Sequence, residues 1–294
     1  MSKKQSVALS SVFASIILTV TKLIVGIVTG SIGILSEAAH SLLDLGAALI
    51  TFFAVKAGEK GADDHHHYGH QKIESVSALA ETGLLFLTSV WIIFEAIKRL
   101  SSGKVEIEVT WYAFAVMILS IIIDFSRSRA LKKVAKETGS QALEADALHF
   151  SSDILSSLTV ILGLIFVSLG IAKADAIAAI GVSLFVIHVG YSLGKRTIDV
   201  LTDTVPFGLS EKVRSFVKGC EGVISIKKIR VRSAGVTIFI DITIAVSDKL
   251  SIGKAHAISD DIETKIKASI PEADITVHLE PQKSSNKTVK FKLV

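Results

Sequence analysis

Cysteine is almost absent: the single thiol, Cys220, excludes an intrachain disulfide framework and any cysteine-rich metal site. Proline is nearly as scarce, and Pro206, Pro271 and Pro281 all fall late in the chain, so no proline interrupts residues 1–205. Charge is also short, at 20% of 294 residues against about 25% in soluble domains, while half of the residues are hydrophobic and the mean hydropathy is +0.55. The deficit is uneven. Residues 1–206 carry 17 Lys/Arg and 18 Asp/Glu, whereas residues 207–294 carry 15 and 10. The net charge of +4 is therefore −1 from the long apolar part and +5 from the short polar one, which excludes a dominant nucleic-acid footprint on the long part.

Two stretches, Ile154–Ala172 and Ala176–Gly194, run without a charge for about the 30 Å of a bilayer core. Four further apolar segments, near 7–29, 32–56, 76–98 and 108–130, each contain ionisable residues and read as spans with functional or snorkelling exceptions. The first, after Lys3 and Lys4, is too long for a signal peptide and is read as a retained helix. Six spans place both termini on one side. Twelve Lys/Arg fall on that side (Lys3, Lys4, Lys56, Lys60, Lys72, Arg127, Arg129, Lys132, Lys133, Lys136, Lys195 and Arg196) against Lys98, Arg99, Lys104 and Lys173 on the other. The positive-inside rule then makes both termini cytoplasmic.

The expected fold is an α-helical membrane protein of six transmembrane helices over residues 1–206, followed by a small α+β cytoplasmic domain over 207–280 and a flexible tail over 281–294. In the polar domain the pattern predicts a short helix from Leu209, strands near Val223–Arg232 and Val236–Val246, a helix Ile252–Ala268 and a strand Asp274–Leu279.

Ionisable residues inside a span are expensive and mark pathways or sites. Span two contains Glu37-Ala-Ala-His40-Ser-Leu-Leu-Asp44 and span five contains Asp146-Ala-Leu-His149-Phe-Ser-Ser-Asp153. On a helix, residues four apart share a face, so each pair offers one imidazole and one carboxylate to a common point. Because the two spans run in opposite directions, His40 should lie level with Asp153 and Asp44 with His149, near mid-membrane between two inverted three-span halves. Two His and two Asp suit tetrahedral Zn²⁺, with Co²⁺ or Cd²⁺ as imitators. The alternative is a pair of structural hydrogen-bond couples joining packed helices. Two readings also stand for Glu37 and Asp146, one turn from these residues: a pathway role, with Asp146 drawing cations from the cytoplasm and Glu37 taking protons or releasing metal outside, or a bond to a neighbouring helix. Lys22 has the reach to snorkel or pair, Asp124 falls toward the cytoplasmic end, and Glu81 and His188 carry no role readable from spacing.

These paired motifs, together with the His-rich loop ending Tyr68-Gly69-His70-Gln71-Lys72-Ile73-Glu74 and the polar domain, resemble the cation diffusion facilitator family, especially its bacterial zinc/proton antiporters, over residues 7–280. The resemblance implies a homodimer in the inner membrane, moving a divalent metal out of the cytoplasm in exchange for protons, with His-Asp on both helices similar to the zinc-selective pattern. It implies a peripheral loop site at Asp63, His66 and His70, a charge pair of Lys72 and Asp203 near the membrane surface, and a cytoplasmic metal site. For the last, this chain supplies His256, His278 and Glu280, with His278 and Glu280 on one strand face, but Lys227 and Thr243 stand where further histidines belong. One weaker ion and a blunted sensing role follow. Residue composition alone leaves the loop as either a metal site or a solvated turn, and the cytoplasmic histidines as either ligands or surface residues.

Zinc as substrate and possible regulatory ligand, with protons as counter-ion, completes the expectation: protons and metal compete for neutral imidazole and ionised carboxylate. An enzyme is not expected, since H-E-x-x-H is missing and four ligands leave tetrahedral zinc no open position. The competing readings are an Fe²⁺ or Co²⁺ exporter of the same architecture, a membrane zinc enzyme, and a metal sensor that docks partners without transport.

Overall fold

The computed structural model describes residues 1–30, 32–102, 111–168 and 174–283. Most of the tail expected over 281–294, and Lys104 and Lys173, lie outside the described residues. The chain divides into two units, Met1–Leu201 and Thr202–Val294.

The first unit is six long helices: α1 (Lys3–Thr29), α2 (Ile32–Gly58), α3 (Lys72–Ser102), α4 (Trp111–Thr138), α5 (Gln141–Ser168) and α6 (Ala174–Leu201). Ser2 caps α1 by accepting the Gln5 N–H at 3.1 Å, and Gly30 ends it at φ +67°, a left-handed value that suits glycine. The helices outrun the apolar stretches. Thus α5 starts at Gln141 rather than Ile154, capped by the Ser140 hydroxyl, which accepts the Leu143 N–H at 3.3 Å. Among the described residues, four helices are long and apolar enough to cross a membrane: Lys3–Thr29, Glu37–Gly58, Lys72–Lys98 and Ala176–Leu201. The other two are as long; α4 carries Asp124 and Arg127 within it, and α5 carries Glu144, Asp146 and Asp153.

Phe13, Ile17, Leu87, Trp91, Phe94 and Ile122 are exposed on the helices, an apolar surface of the kind that lipid covers. The packed side is lined by small residues such as Ala8, Ala47, Ala48, Ala78 and Ala145, which let helices without a hydrophobic driving force approach closely. The tightest pairs are α1 with α2, α3 with α6 and α4 with α5; α2 also meets α5. Buried Glu74 ties three helices, holding Lys4 of α1 at 2.5 Å and accepting the Ser140 hydroxyl at the start of α5.

The second unit is α7 (Leu209–Lys218), β1 (Ser225–Ala234), β2 (Thr237–Ser247), α8 (Ile252–Ser269) and β3 (Ala273–Gln282). The sheet order is β1-β2-β3, with β1 antiparallel and β3 parallel to β2. Helix, two strands, helix and strand follow the expected order, but β3 runs past the expected Leu279 because its ladder with β2 continues to Ser247 opposite Gln282. Ile240, Ile242 and Ile244 of β2, with Ile275 of β3, meet Val213 and Val217 of α7 and Ile262 and Ile266 of α8. Both helices therefore cover one face of the sheet. Cys220 is buried here, and burial pushes its thiol above its ordinary pKa, so it is a packing residue rather than a nucleophile.

Gly222, before β1, sits at φ +87°, and a Cβ there would meet Ile258 Cδ1 at 2.5 Å. Gly222→Ala is expected to destabilise this domain by about 1–3 kcal/mol, through left-handed strain and overpacking together. A lowered unfolding transition of the cytoplasmic domain in the detergent-solubilised protein measures it.

Candidate metal centre

On α2, His40 and Asp44 are one turn apart; on α5, so are His149 and Asp153. Where α2 and α5 meet, the four side chains converge. His149 Nε2 lies 3.0 Å from Asp44 Oδ1 and 3.7 Å from Asp153 Oδ2, and His40 Nε2 lies 3.8 Å from both Asp44 Oδ1 and Asp153 Oδ1. His40 is thus level with Asp153 and His149 with Asp44, as opposed helix directions require. Asp44 and His149 are buried, whereas the His40 side chain is 42% exposed. Asp153 Oδ2 is buried without a hydrogen-bond partner, an arrangement that costs free energy until a proton or cation is supplied.

Around these four lie the other membrane-embedded charges. Glu37, one turn before His40, pairs with the buried Lys22 ammonium of α1 at 3.2 Å, and Lys22 also donates to Ser41 Oγ at 2.8 Å. Asp146, one turn before His149, is fully buried; Oδ2 accepts the Ser11 hydroxyl at 3.2 Å and Oδ1 has no partner. Both acids are therefore bonded to α1. Glu81 is buried on α3, where Oε1 accepts hydrogen bonds from Thr51 of α2 and, at 3.3 Å, from Ser77. His188 is exposed on α6.

Arg127 departs from the sequence reading. Counted there among the loop charges, it is buried on α4: Nη1 donates to Asp124 Oδ1 at 3.2 Å, Nη2 donates to Ser11 Oγ at 3.0 Å and Ser15 Oγ at 2.7 Å, and Cζ lies 3.5 Å from the Phe150 ring centroid. Its only sequence signal is an i,i+3 partner, Asp124, in a helix that continues past the apolar run.

In the α2–α3 loop, Asp63 Oδ1 accepts the backbone N–H of His66 at 2.7 Å and of His65 at 3.0 Å. The His66 N–H, then the His65 N–H, hold this carboxyl below its usual range. His66 Nδ1 is 3.3 Å from Asp63 Oδ1, and His70 Nε2 is 3.3 Å from Asp63 Oδ2. His70 Nδ1 lies 3.2 Å from the Gly61 carbonyl; donating there leaves Nε2 to accept a proton or bind a cation. Asp63, His66 and His70 form one of two groups among the described residues whose donor atoms all lie within 4.8 Å of one another; His40, Asp44 and Asp153 form the other.

The structure does not bring His256, His278 and Glu280 together in the same way. His278 and Glu280 are exposed on β3, level with Thr243 and Ala245. Because α7 and α8 cover the opposite sheet face, the one that buries Ile275, a ligand on α8 is kept from the face of His278 within one protomer. His256 projects outward, 73% exposed, 3.6 Å from Asp260. Lys72 donates to the Leu201 carbonyl at 3.4 Å, and Asp203, at φ +59°, lies 3.8 Å from Arg232 Nη1.

Comparison with known proteins accounts for nearly the whole chain. The cation efflux transmembrane domain family matches residues 8–202, and the dimerising cytoplasmic domain of cation efflux proteins matches residues 208–282. The chain is 30% identical over 285 residues to the cation-efflux pump FieF of Yersinia enterocolitica, covering 94% of this chain and 92% of that one. It is 28% identical over 281 residues to FieF of Pectobacterium atrosepticum, covering 93% and 91%. Of solved structures, the putative zinc transporter CzrB in its zinc form is similar over 28% of this chain and 96% of its own, at 21% identity and a TM-score of 0.26. A helical membrane unit with acids and histidines converging between two of its helices, joined to a three-stranded α/β domain, fits both matched domains: the chain belongs to the cation diffusion facilitator family of divalent-metal efflux transporters.

Proposed function

We propose that the protein exports Zn²⁺ from the cytoplasm in exchange for protons, binding the ion at His40, Asp44, His149 and Asp153 and alternating access to it. The observation that carries this is the donor geometry. His40, Asp44 and Asp153 present ligand atoms within 4.8 Å of one another, and His149 Nε2 approaches the same Asp44 oxygen at 3.0 Å, close to the edge of about 3.3 Å that a tetrahedron with zinc bonds near 2.0 Å requires. Two imidazoles and two carboxylates favour zinc over Mg²⁺ or Mn²⁺, which seek more oxygen. Iron or cobalt export on the same architecture is the competing substrate choice. The unpartnered Asp153 oxygen supports a role as ligand over one as a structural couple.

Proton coupling follows from the same atoms. Each imidazole must lose its proton to bind the ion, and each regains one when the site opens to a more acidic side. Both termini are cytoplasmic in this reading; with Arg127 removed from the count, eleven loop cations still stand against four. The match to a dimerising cytoplasmic domain supports a homodimer. The loop residues Asp63, His66 and His70 gather metal near the cytoplasmic entrance. His256, His278 and Glu280, spread over two faces, take at most a weak ion, and joining them needs a second protomer.

Zinc uptake into proteoliposomes with an acidic interior, in competition with Fe²⁺, Co²⁺ and Cd²⁺, tests the proposal. Uptake that follows the pH gradient and is suppressed most by unlabelled zinc is expected. Binding without gradient-driven movement leaves a sensor, and stronger suppression by iron reassigns the substrate. Replacing the loop ligands, Asp63→Ala with His66→Ala, is expected to lower bound zinc by one ion per protomer while gradient-driven uptake persists; loss of all uptake contradicts the separation of the two sites.

A further inference from the structure

Buried cations in a membrane bundle are costly and rare, and Lys22 and Arg127 have no part in holding a divalent ion. Their placement assigns them one. Each of the acids one turn from the ligands has its own tethered cation: Lys22 contacts Glu37 and Ser41, the neighbour of His40, and Arg127 reaches Asp146 through the Ser11 hydroxyl, which accepts from the guanidinium and donates to the carboxylate. Arg127 also lies on the face of Phe150, whose ring meets His149 edge-on at 5.5 Å and 85°.

We propose that Arg127 and Lys22 are fixed counter-cations bracketing the transport site, which cap its affinity for the divalent ion and keep the surrounding acids from trapping it. The inference rests on the four-residue site proposed above. Without these cations, Glu37, Asp124 and Asp146 would add negative charge beside Asp44 and Asp153, and an ion drawn into so acidic an interior would leave slowly. Arginine cannot lose its charge at any working pH. Its hydrogen bonds to Asp124, Ser11 and Ser15 and its contact with Phe150 hold it across α1, α4 and α5, so it cannot swing away as the metal enters. At an effective dielectric of about 20, one such charge roughly 10 Å from a divalent ion weakens binding by up to a few hundredfold.

The competing role is mechanical, a staple between helices, and the sign of the affinity change separates the two. Zinc affinity is measured by titration of the full-length protein in a background carrying Asp63→Ala, His66→Ala and His256→Ala. Arg127→Gln is expected to tighten binding at least tenfold and Asp146→Asn to weaken it at least tenfold; Lys22→Gln follows Arg127→Gln, and Arg127→Lys stays within about threefold of the parent. A staple gives unchanged or weaker binding in Arg127→Gln, and that result overturns the proposal. If Arg127→Gln does not fold, the charge-preserving double variant Arg127→Gln/Asp146→Asn decides: affinity within about threefold of the parent supports the proposal, and affinity below that of Asp146→Asn alone overturns it. Asp153→Ala in the same background is the control. If it leaves zinc binding intact, the transport-site reading has failed; if it abolishes binding while Arg127→Gln has no tightening effect, only the counter-cation inference has.

Discussion

Asp153→Ala is expected to reduce zinc-for-proton exchange in proteoliposomes by more than about a hundredfold, with the protein still folded. Outer-shell partners of metal ligands commonly cost 10–100-fold, and a ligand itself costs more. Asp153 is opposite His40 and close to His149, at 3.8 and 3.7 Å. Its removal takes away one of two negative charges and leaves both imidazoles facing Asp44 alone. The fold should tolerate the change, because alanine suits a helix interior and Asp153 Oδ2 holds no hydrogen bond that packing depends on. Asp153→Asn, which keeps the shape and removes the charge, is expected to fall nearly as far. Exchange within twofold of the unmodified protein in either variant would remove Asp153 from the site.

Zinc held at the same site is expected to be lost steeply with acid, with affinity falling by roughly a hundredfold per pH unit where both imidazoles must shed a proton to bind. Each displaced proton contributes about tenfold per unit, and His40 and His149 supply two. The sign is fixed by which form binds: protonated imidazole has no lone pair for metal, so affinity falls as pH falls and protons claim the two imidazoles. Equilibrium binding at pH 7.5, 6.5 and 5.5 measures this with Asp63→Ala and His66→Ala in place, since the loop shares the chemistry. In the unmodified loop the Asp63 carboxyl, held low by the His66 and His65 N–H groups, stays ionised across this range. A pH-independent affinity at the intramembrane site would sever metal binding from proton coupling.

What could be read from the sequence was what helical periodicity encodes. The H-x-x-x-D pairs announce a shared face on each of two spans, and opposite span directions pair His40 with Asp153, which lies 3.8 Å away. The α/β domain was legible from a different period, the twofold alternation that puts Ile240, Ile242 and Ile244 on one strand face. Arg127 was not, because its partners Ser11, Ser15 and Phe150 are distant in sequence and its neighbours look like a basic loop. Glu37 and Asp146 left two readings open for a related reason: a carboxyl's partner on another helix, here Lys22 or Ser11, has no sequence spacing to reveal it. His256 and His278 share a domain, but which sheet face a helix covers is decided by packing, and α8 covers the face away from His278. Helix ends were underestimated wherever charged turns extend an apolar run, as α4 does to Thr138.

The central claim, that His40, Asp44, His149 and Asp153 bind the transported ion, is met most directly by zinc X-ray absorption on the full-length protein carrying Asp63→Ala, His66→Ala and His256→Ala. The account expects four-coordinate zinc with two imidazole nitrogens and two carboxylate oxygens at about 2.0–2.2 Å, and loss of one imidazole contribution in His149→Ala. A six-coordinate, all-oxygen shell, or a two-imidazole spectrum unchanged in His149→Ala, would contradict it.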